Sequence, residues 1–93
     1  GLGMITDEIK KISFQRLGYE INQAELRLMP YLQYCVVNNQ NIAPIRITQE
    51  DREILSMWRN EGYISGGAAD FEMTKDFWDD ISQLIWLGYV DHD

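Results

Sequence analysis

Three groups of residues in this chain are of types that perform chemistry in other proteins. Nucleophilic hydrolysis needs a base in contact with its nucleophile, yet the only histidine, His92, is next to the last residue. Cys35 lies on the apolar side of a predicted helix, which favours a buried thiol over a reactive one. Asp91, His92 and Asp93 are adjacent at the chain end, where a preorganised metal site is hard to build. None of these groups predicts an active site.

Two further patterns also favour a structural interpretation. Gly66 and Gly67 are not followed by the Lys-Ser or Lys-Thr pair of a phosphate-binding loop, since the next lysine is Lys75. Asp79 and Asp80 point about 100° apart on a helix, off its apolar stripe, as expected of a solvated acidic face. We therefore expect a non-enzymatic protein with no catalytic residue, no cofactor and no metal.

Composition and length predict one ordinary globular domain. The chain has 93 residues, of which 45% are hydrophobic and 25% charged, enough for a single core. We interpret residues 1–3 as the remnant of an expression tag and residues 4–93 as the domain. No apolar run reaches the roughly 20 residues of a membrane span. The expectation is a cytoplasmic protein that does not enter membranes.

The net charge of −7 is unevenly distributed. Residues 1–47 carry five basic and four acidic side chains, whereas residues 48–93 carry three basic and eleven acidic ones. A surface that binds phosphates needs clustered lysine and arginine. The acidic half lacks such a cluster, so nucleic acid is not the expected partner.

Four helix starts are signalled by capping residues. Thr6, Asn22, Thr48 and Thr74 each precede a segment with helical periodicity, and Asn22 is followed by Glu25 in the capping-box position. Glycines at 18, 62 and 88 mark three of the ends. Pro30 inside the second helix predicts a kink near position 26 or a break into two helices. Leu26, Tyr34 and Val37 fall on the side opposite the main apolar face of this helix, which suggests that neighbouring helices or a second copy cover them.

Short extended segments connect and follow the helices. "IAPIRI", residues 42–47, is β-branched and is expected to form a brief strand. "GYISGGAADFEMT", residues 62–74, has the pattern of a hairpin with a glycine turn. The tail "YVDHD" would add an edge strand. The predicted fold class is mainly α with a small β-hairpin.

The order of helix, short strand, helix, "GYI", glycine turn, "FEMT" and helix resembles a winged-helix domain over residues 42–90. The resemblance implies that Tyr63 and Ile64 form the outgoing wing strand, 65–70 its tip and 71–73 the return. A plain four-helix arrangement with a small hairpin is the alternative. The chain is also similar to small proteins of bacterial prophages and mobile elements.

The winged-helix resemblance leaves two functional hypotheses. The first is a protein-interaction module, also self-associating as a homodimer, because the third helix and the wing tip are more acidic than those of DNA readers. Its expected partner-binding residues are Tyr63, Phe71, Asp76, Asp79, Asp80, Trp86 and Tyr89. The alternative is a DNA-binding transcriptional regulator. Its cations would be Arg46, Arg52, Arg59 and Lys75, joined by Lys10, Lys11 and Arg16. A nucleic-acid mimic is a third hypothesis, but the acidic residues are too scattered to favour it.

Overall fold

The computed structural model describes residues 3–90, which contain four α-helices and one hairpin. The helices are α1 (Asp7–Leu17), α2 (Gln23–Val37), α3 (Gln49–Asn60) and α4 (Lys75–Ile85), and α4 continues into a π-helical turn at Trp86–Val90. Strands β1 (Ile64–Ser65) and β2 (Glu72–Met73) pair antiparallel, with Ile64 opposite Met73. The predicted fold class, mainly α with a small hairpin, is confirmed, and its shape is compatible with a winged-helix-like domain.

All four predicted caps form hydrogen bonds in the structure. The side chains of Thr6, Asn22, Thr48 and Thr74 each accept a hydrogen bond from the backbone N–H three residues later. Such bonds satisfy amide groups at the helix start that have no partner within the helix. Gly18 follows α1 with a φ of 84°, a left-handed conformation that costs glycine little. The helix starts were therefore readable from local sequence.

The core lies where α4 packs against α1 and α2, while α2 also packs against α3. Trp58 and Phe77 are its largest fully buried side chains, and their rings meet edge to face at 5.1 Å. Gly88 allows a close approach in this core, because a Cβ there would lie 2.8 Å from a methyl carbon of Leu26. The glycine thus serves packing inside the π turn rather than ending the helix.

Two predicted features of the connections are wrong, and one of the two alternatives predicted for Pro30, a kink or a break, is absent. Residues 42–47 form no strand: Pro44–Arg46 is a 3₁₀ turn, closed by a hydrogen bond from the Arg46 N–H to the Ala43 carbonyl. The Pro44 ring fixes φ and lacks an N–H for strand pairing, and Ile45 is 95% exposed. The predicted break at Pro30 is also absent, since α2 runs through it. Tyr89 and Val90 lie in the π turn rather than an edge strand, and the rest of that tail lies outside the described residues.

Candidate interaction surface

An acidic groove lies between the end of α1, the start of the hairpin and the first turns of α4. It contains three of the predicted partner-binding acids together with predicted Tyr63. Its lining is Gln15, Arg16, Gly62, Tyr63, Thr74, Asp76, Phe77, Asp79 and Asp80. The tertiary structure therefore brings Tyr63 into one groove with Asp76, Asp79 and Asp80, which follow it in the sequence by 13 positions or more.

Two stacked aromatic rings, Tyr63 and Phe77, line the acidic groove. The Tyr63 ring lies 4.8 Å from the Phe77 ring at an interplanar angle of 7°. The Tyr63 hydroxyl donates to the Leu17 carbonyl oxygen at 3.3 Å, which ties the hairpin entry to the end of α1. Stacked rings of this kind stabilise by more than their buried area alone. Tyr63 is thus half-buried and positioned by contacts on two sides.

The acids of the groove differ in their surroundings. Asp79 accepts a hydrogen bond from Lys75 at 2.9 Å, one helical turn away. Asp80 is less exposed, and burial raises the pKa of its carboxyl, an effect that Arg16 at 3.9 Å opposes. Within residues 3–90 no cation pairs with Asp76. The unpaired charge of Asp76 and the exposed side of Asp79 give the groove its negative character.

Trp86 does not line the acidic groove but begins the π turn that continues α4. Seven residues separate it from Asp79, so both lie on nearly the same side of the helix, about 10 Å apart along its axis. The indole is 56% exposed, a value that only the packing of neighbouring helices decides. Exposed tryptophans beside charged residues are typical anchors of protein interfaces.

Two predicted partner-binding residues lie elsewhere. Phe71 lines a different groove with Asn41 and Cys35, and its backbone N–H donates to the Asn41 side chain at 3.0 Å. Tyr89 lies in the π turn, and its ring packs against Gly3. Burial raises the pKa of the Tyr89 hydroxyl. Neither residue lines the acidic groove.

The predicted DNA-binding cations are dispersed. Arg46 lies over the Tyr31 ring at 4.9 Å, and Lys75 is paired with Asp79. Arg59 donates from Nε to the Gly66 carbonyl at 2.7 Å, and thus holds the hairpin. Among these residues only Arg52 and Arg59 line one groove together.

The tip of the hairpin is attached to the connection between α2 and α3. The Ile42 N–H donates to the Gly67 carbonyl oxygen at 2.8 Å, on the same stretch that Arg59 binds. Asn41 holds Phe71 on the returning side of the tip. A tip tethered at these points projects from the domain less than a free wing does.

A buried polar network was not singled out by the sequence reasoning. Tyr19 donates its hydroxyl to a carboxylate oxygen of Glu25 and accepts from the Trp58 indole N–H at 2.8 Å. Glu25 is only 3% exposed, and its other oxygen accepts from the Asn22 N–H at 2.9 Å. Burial, followed by the bond to Glu25, raises the pKa of Tyr19 above its ordinary value. The capping-box position of Glu25 was the available signal, but its burial depends on residues far along the chain.

Metal-ligand groups and membrane-spanning helices are both absent from residues 3–90. Within residues 3–90 no group of three or more His, Cys, Asp or Glu side chains is arranged to hold a metal ion, and Asp91, His92 and Asp93, where we expect no preorganised metal site, lie outside that range. Among the same residues no helix combines the length and the apolar character needed to span a bilayer. Cys35 is buried, with its Sγ 3.8 Å from the Asn41 carbonyl oxygen.

Comparison with known proteins reveals no match to a protein-family model, a curated protein or a solved structure.

Proposed function

We propose that this chain is a non-enzymatic protein-interaction module of winged-helix-like form. The acidic groove and Trp86 bind a basic segment of another protein. The observation that carries the proposal is the position of Asp76 and Asp79 beside the stacked Tyr63 ring, with exposed Trp86 two turns further along α4. Acids supply attraction and orientation, while aromatic surface supplies most of the affinity.

We further propose that the module self-associates through the exposed side of α2. Tyr34 is 50% and Val37 70% exposed near the end of that helix. Isologous pairing of two copies would remove both side chains from water. Sedimentation velocity tests this: Val37→Ser should shift a dimer toward monomer, and a monomer at all concentrations would refute self-association.

The alternative of a DNA-binding regulator has less support. Its four cations do not form one cluster, and the hairpin tip is held by Ile42 and Arg59. Affinity for duplex DNA comes largely from several clustered cations that release counterions. Fluorescence anisotropy with labelled random duplex at low salt separates the two hypotheses, because the interaction module should show no binding.

The test of the proposed function compares two double variants with equal loss of charge. Asp76→Asn with Asp79→Asn removes two acids from the groove. Glu50→Gln with Glu53→Gln removes two acids from the exposed side of α3, one of them also in a first helical turn. Proteins captured from cell extract are identified, purified and titrated against each variant.

The proposal expects a basic captured protein whose affinity falls about fivefold or more for the groove variant, as for loss of about 1 kcal/mol of charge interaction. The α3 variant should bind like wild type. Equal losses in both variants would show that only net charge matters. Unchanged binding by the groove variant would refute the groove as the binding site.

A further inference from the structure

A second groove, lined by two arginines, lies between α3, the connection at 42–47 and the tip of the hairpin, and the proposed function does not use it. Its apolar floor consists of Ile42, Ile47 and Leu55, and two arginines, Arg52 and Arg59, stand at its edge beside Gly67. We name it the arginine groove. It encloses about 270 Å³, which is smaller than the usual site for a drug-sized ligand.

The floor of the arginine groove is built by the connection that sequence reasoning expected to be a strand. The 3₁₀ turn at Pro44–Arg46 lies between Ile42 and Ile47, which both line the groove. Meanwhile the bond from the Ile42 N–H to the Gly67 carbonyl keeps the start of the connection against the tip. Of the three floor side chains, Ile47 is the one that stays partly accessible between α3 and the hairpin. Ile42 and Leu55 are nearly inaccessible, whereas Ile47 is half-buried.

The arginines and the glutamates of α3 lie on different sides of the helix. Arg52 and Arg59 are seven residues apart and therefore point within about 20° of each other, separated by about 10 Å along the axis. Glu50 and Glu53 point about 100° or more away from Arg52 and are exposed. Within residues 3–90, neither arginine forms a salt bridge. The edge of the arginine groove therefore carries two cations without a salt-bridge partner among the described residues, in a chain of net charge −7.

Both arginines retain donors for a ligand. Arg59 uses Nε for the Gly66 carbonyl, and its terminal nitrogen lies against Gly67 at the groove edge. Arg52 makes only a long contact of 3.5 Å to the Pro44 carbonyl. A guanidinium has five N–H donors and matches the geometry of a carboxylate. Each arginine can thus bind one carboxylate without losing its present contact.

We propose that the arginine groove binds a short extended segment of a partner protein with the pattern acid, any residue, apolar, any residue, acid. Side chains at alternate positions of an extended chain point to the same side, and four steps span about 13 Å. The two acids then reach Arg52 and Arg59, and the apolar side chain between them covers Ile47. The ligand that fits the arginine groove is therefore a peptide with two acidic side chains and one apolar side chain between them.

Duplex DNA fits this site less well than a short peptide. A duplex carries one charge per about 1.7 Å of its axis, so it extends beyond the two arginines toward Glu50 and Glu53. A five-residue segment stays within about one screening length of the arginines at physiological salt. The apolar floor adds nothing for phosphates but contributes to binding of an aliphatic side chain.

The probe is a fluorescein-labelled peptide containing Glu-Ser-Leu-Ser-Glu, titrated with the full protein by anisotropy to about 1 mM. Two matched peptides replace both acids by Gln or the Leu by Ser. The protein variant is Arg52→Gln, since Arg59 also holds the hairpin. Its control is Arg46→Gln, which removes the same charge outside the arginine groove.

The proposal expects saturable binding that weakens about fivefold or more with Arg52→Gln and with each altered peptide, but is unchanged with Arg46→Gln. No binding by about 1 mM would overturn it. Equal weakening by both arginine variants would show a non-specific charge effect. Arg52-dependent binding of duplex DNA without peptide binding would assign the face to phosphates instead. The acidic groove is unchanged in these variants, so its proposed function can fail independently.

Discussion

Removing the Tyr19 hydroxyl tests the buried network that links α2 to α3. In Tyr19→Phe, the Trp58 indole N–H, in a side chain that is 0% exposed, loses the acceptor at 2.8 Å. Glu25 simultaneously loses its hydroxyl donor and retains the Asn22 N–H. An unsatisfied buried group costs about 1–3 kcal/mol, and hydrogen bonds to charged groups contribute about 1.5–3 kcal/mol. Because the carboxylate keeps one partner, we expect a total loss of about 2–4 kcal/mol in the free energy of unfolding.

Urea denaturation followed by circular dichroism measures this loss. Tyr34→Phe is the matched control, since that ring is half-exposed and its change should stay within about 0.5 kcal/mol. For a domain of this size, about 2 kcal/mol also lowers Tm by roughly 10 °C. A Tyr19→Phe effect no larger than the control would refute the assignment of stability to the network.

Tyr19→Phe and its control should also differ in how their stability changes at alkaline pH. Burial and the bond to Glu25 raise the pKa of Tyr19 in the folded chain above its unfolded value near 10. The folded state therefore holds this proton more tightly, so its contribution is complete below about pH 10 and is lost as pH rises further. Tyr63 and Tyr89, whose pKa values burial also raises, contribute in the same direction. The decline in stability above pH 10 should be shallower in Tyr19→Phe; identical slopes would contradict the argument.

Two further substitutions test packing and charge. Gly88→Ala places a methyl group 2.8 Å from a Leu26 carbon. Because this contact is too close, the substitution should lower the free energy of unfolding by about 1–3 kcal/mol, measured by urea titration. An unchanged urea midpoint would show that the Leu26 side chain moves aside without cost. Asp80→Asn should raise the free energy of unfolding at pH 7 by less than about 1 kcal/mol. Burial disfavours the charged carboxylate and raises its pKa, and the exposed Arg16 at 3.9 Å offsets little of this cost. The gain should disappear as pH falls through the folded-state pKa, where Asp80 is protonated. A loss of stability at pH 7 would show that the Arg16 pair outweighs burial.

The helix starts and the hairpin were readable from sequence because their determinants are local. A capping side chain bonds a backbone N–H three residues away, so Thr6, Asn22, Thr48 and Thr74 act without help from distant parts of the chain. The two-glycine turn at 66–67 likewise predicted the antiparallel pair. Acidic residues close together on α4 were visible for the same reason.

The sequence alone determined the fold class, the sites of capping and the sign of the charge in each half of the chain. Tertiary structure decided features that depend on distant partners. Residues 42–47 had strand propensity, but residues 3–90 offer no third strand to pair with, and Pro44 directed them into a turn. Tyr19 and Trp58 meet across 39 positions, and the exposure of Trp86 depends on which helices surround it. Local hydrogen bonds specify where elements begin, whereas burial and the grouping of charges require the packed chain.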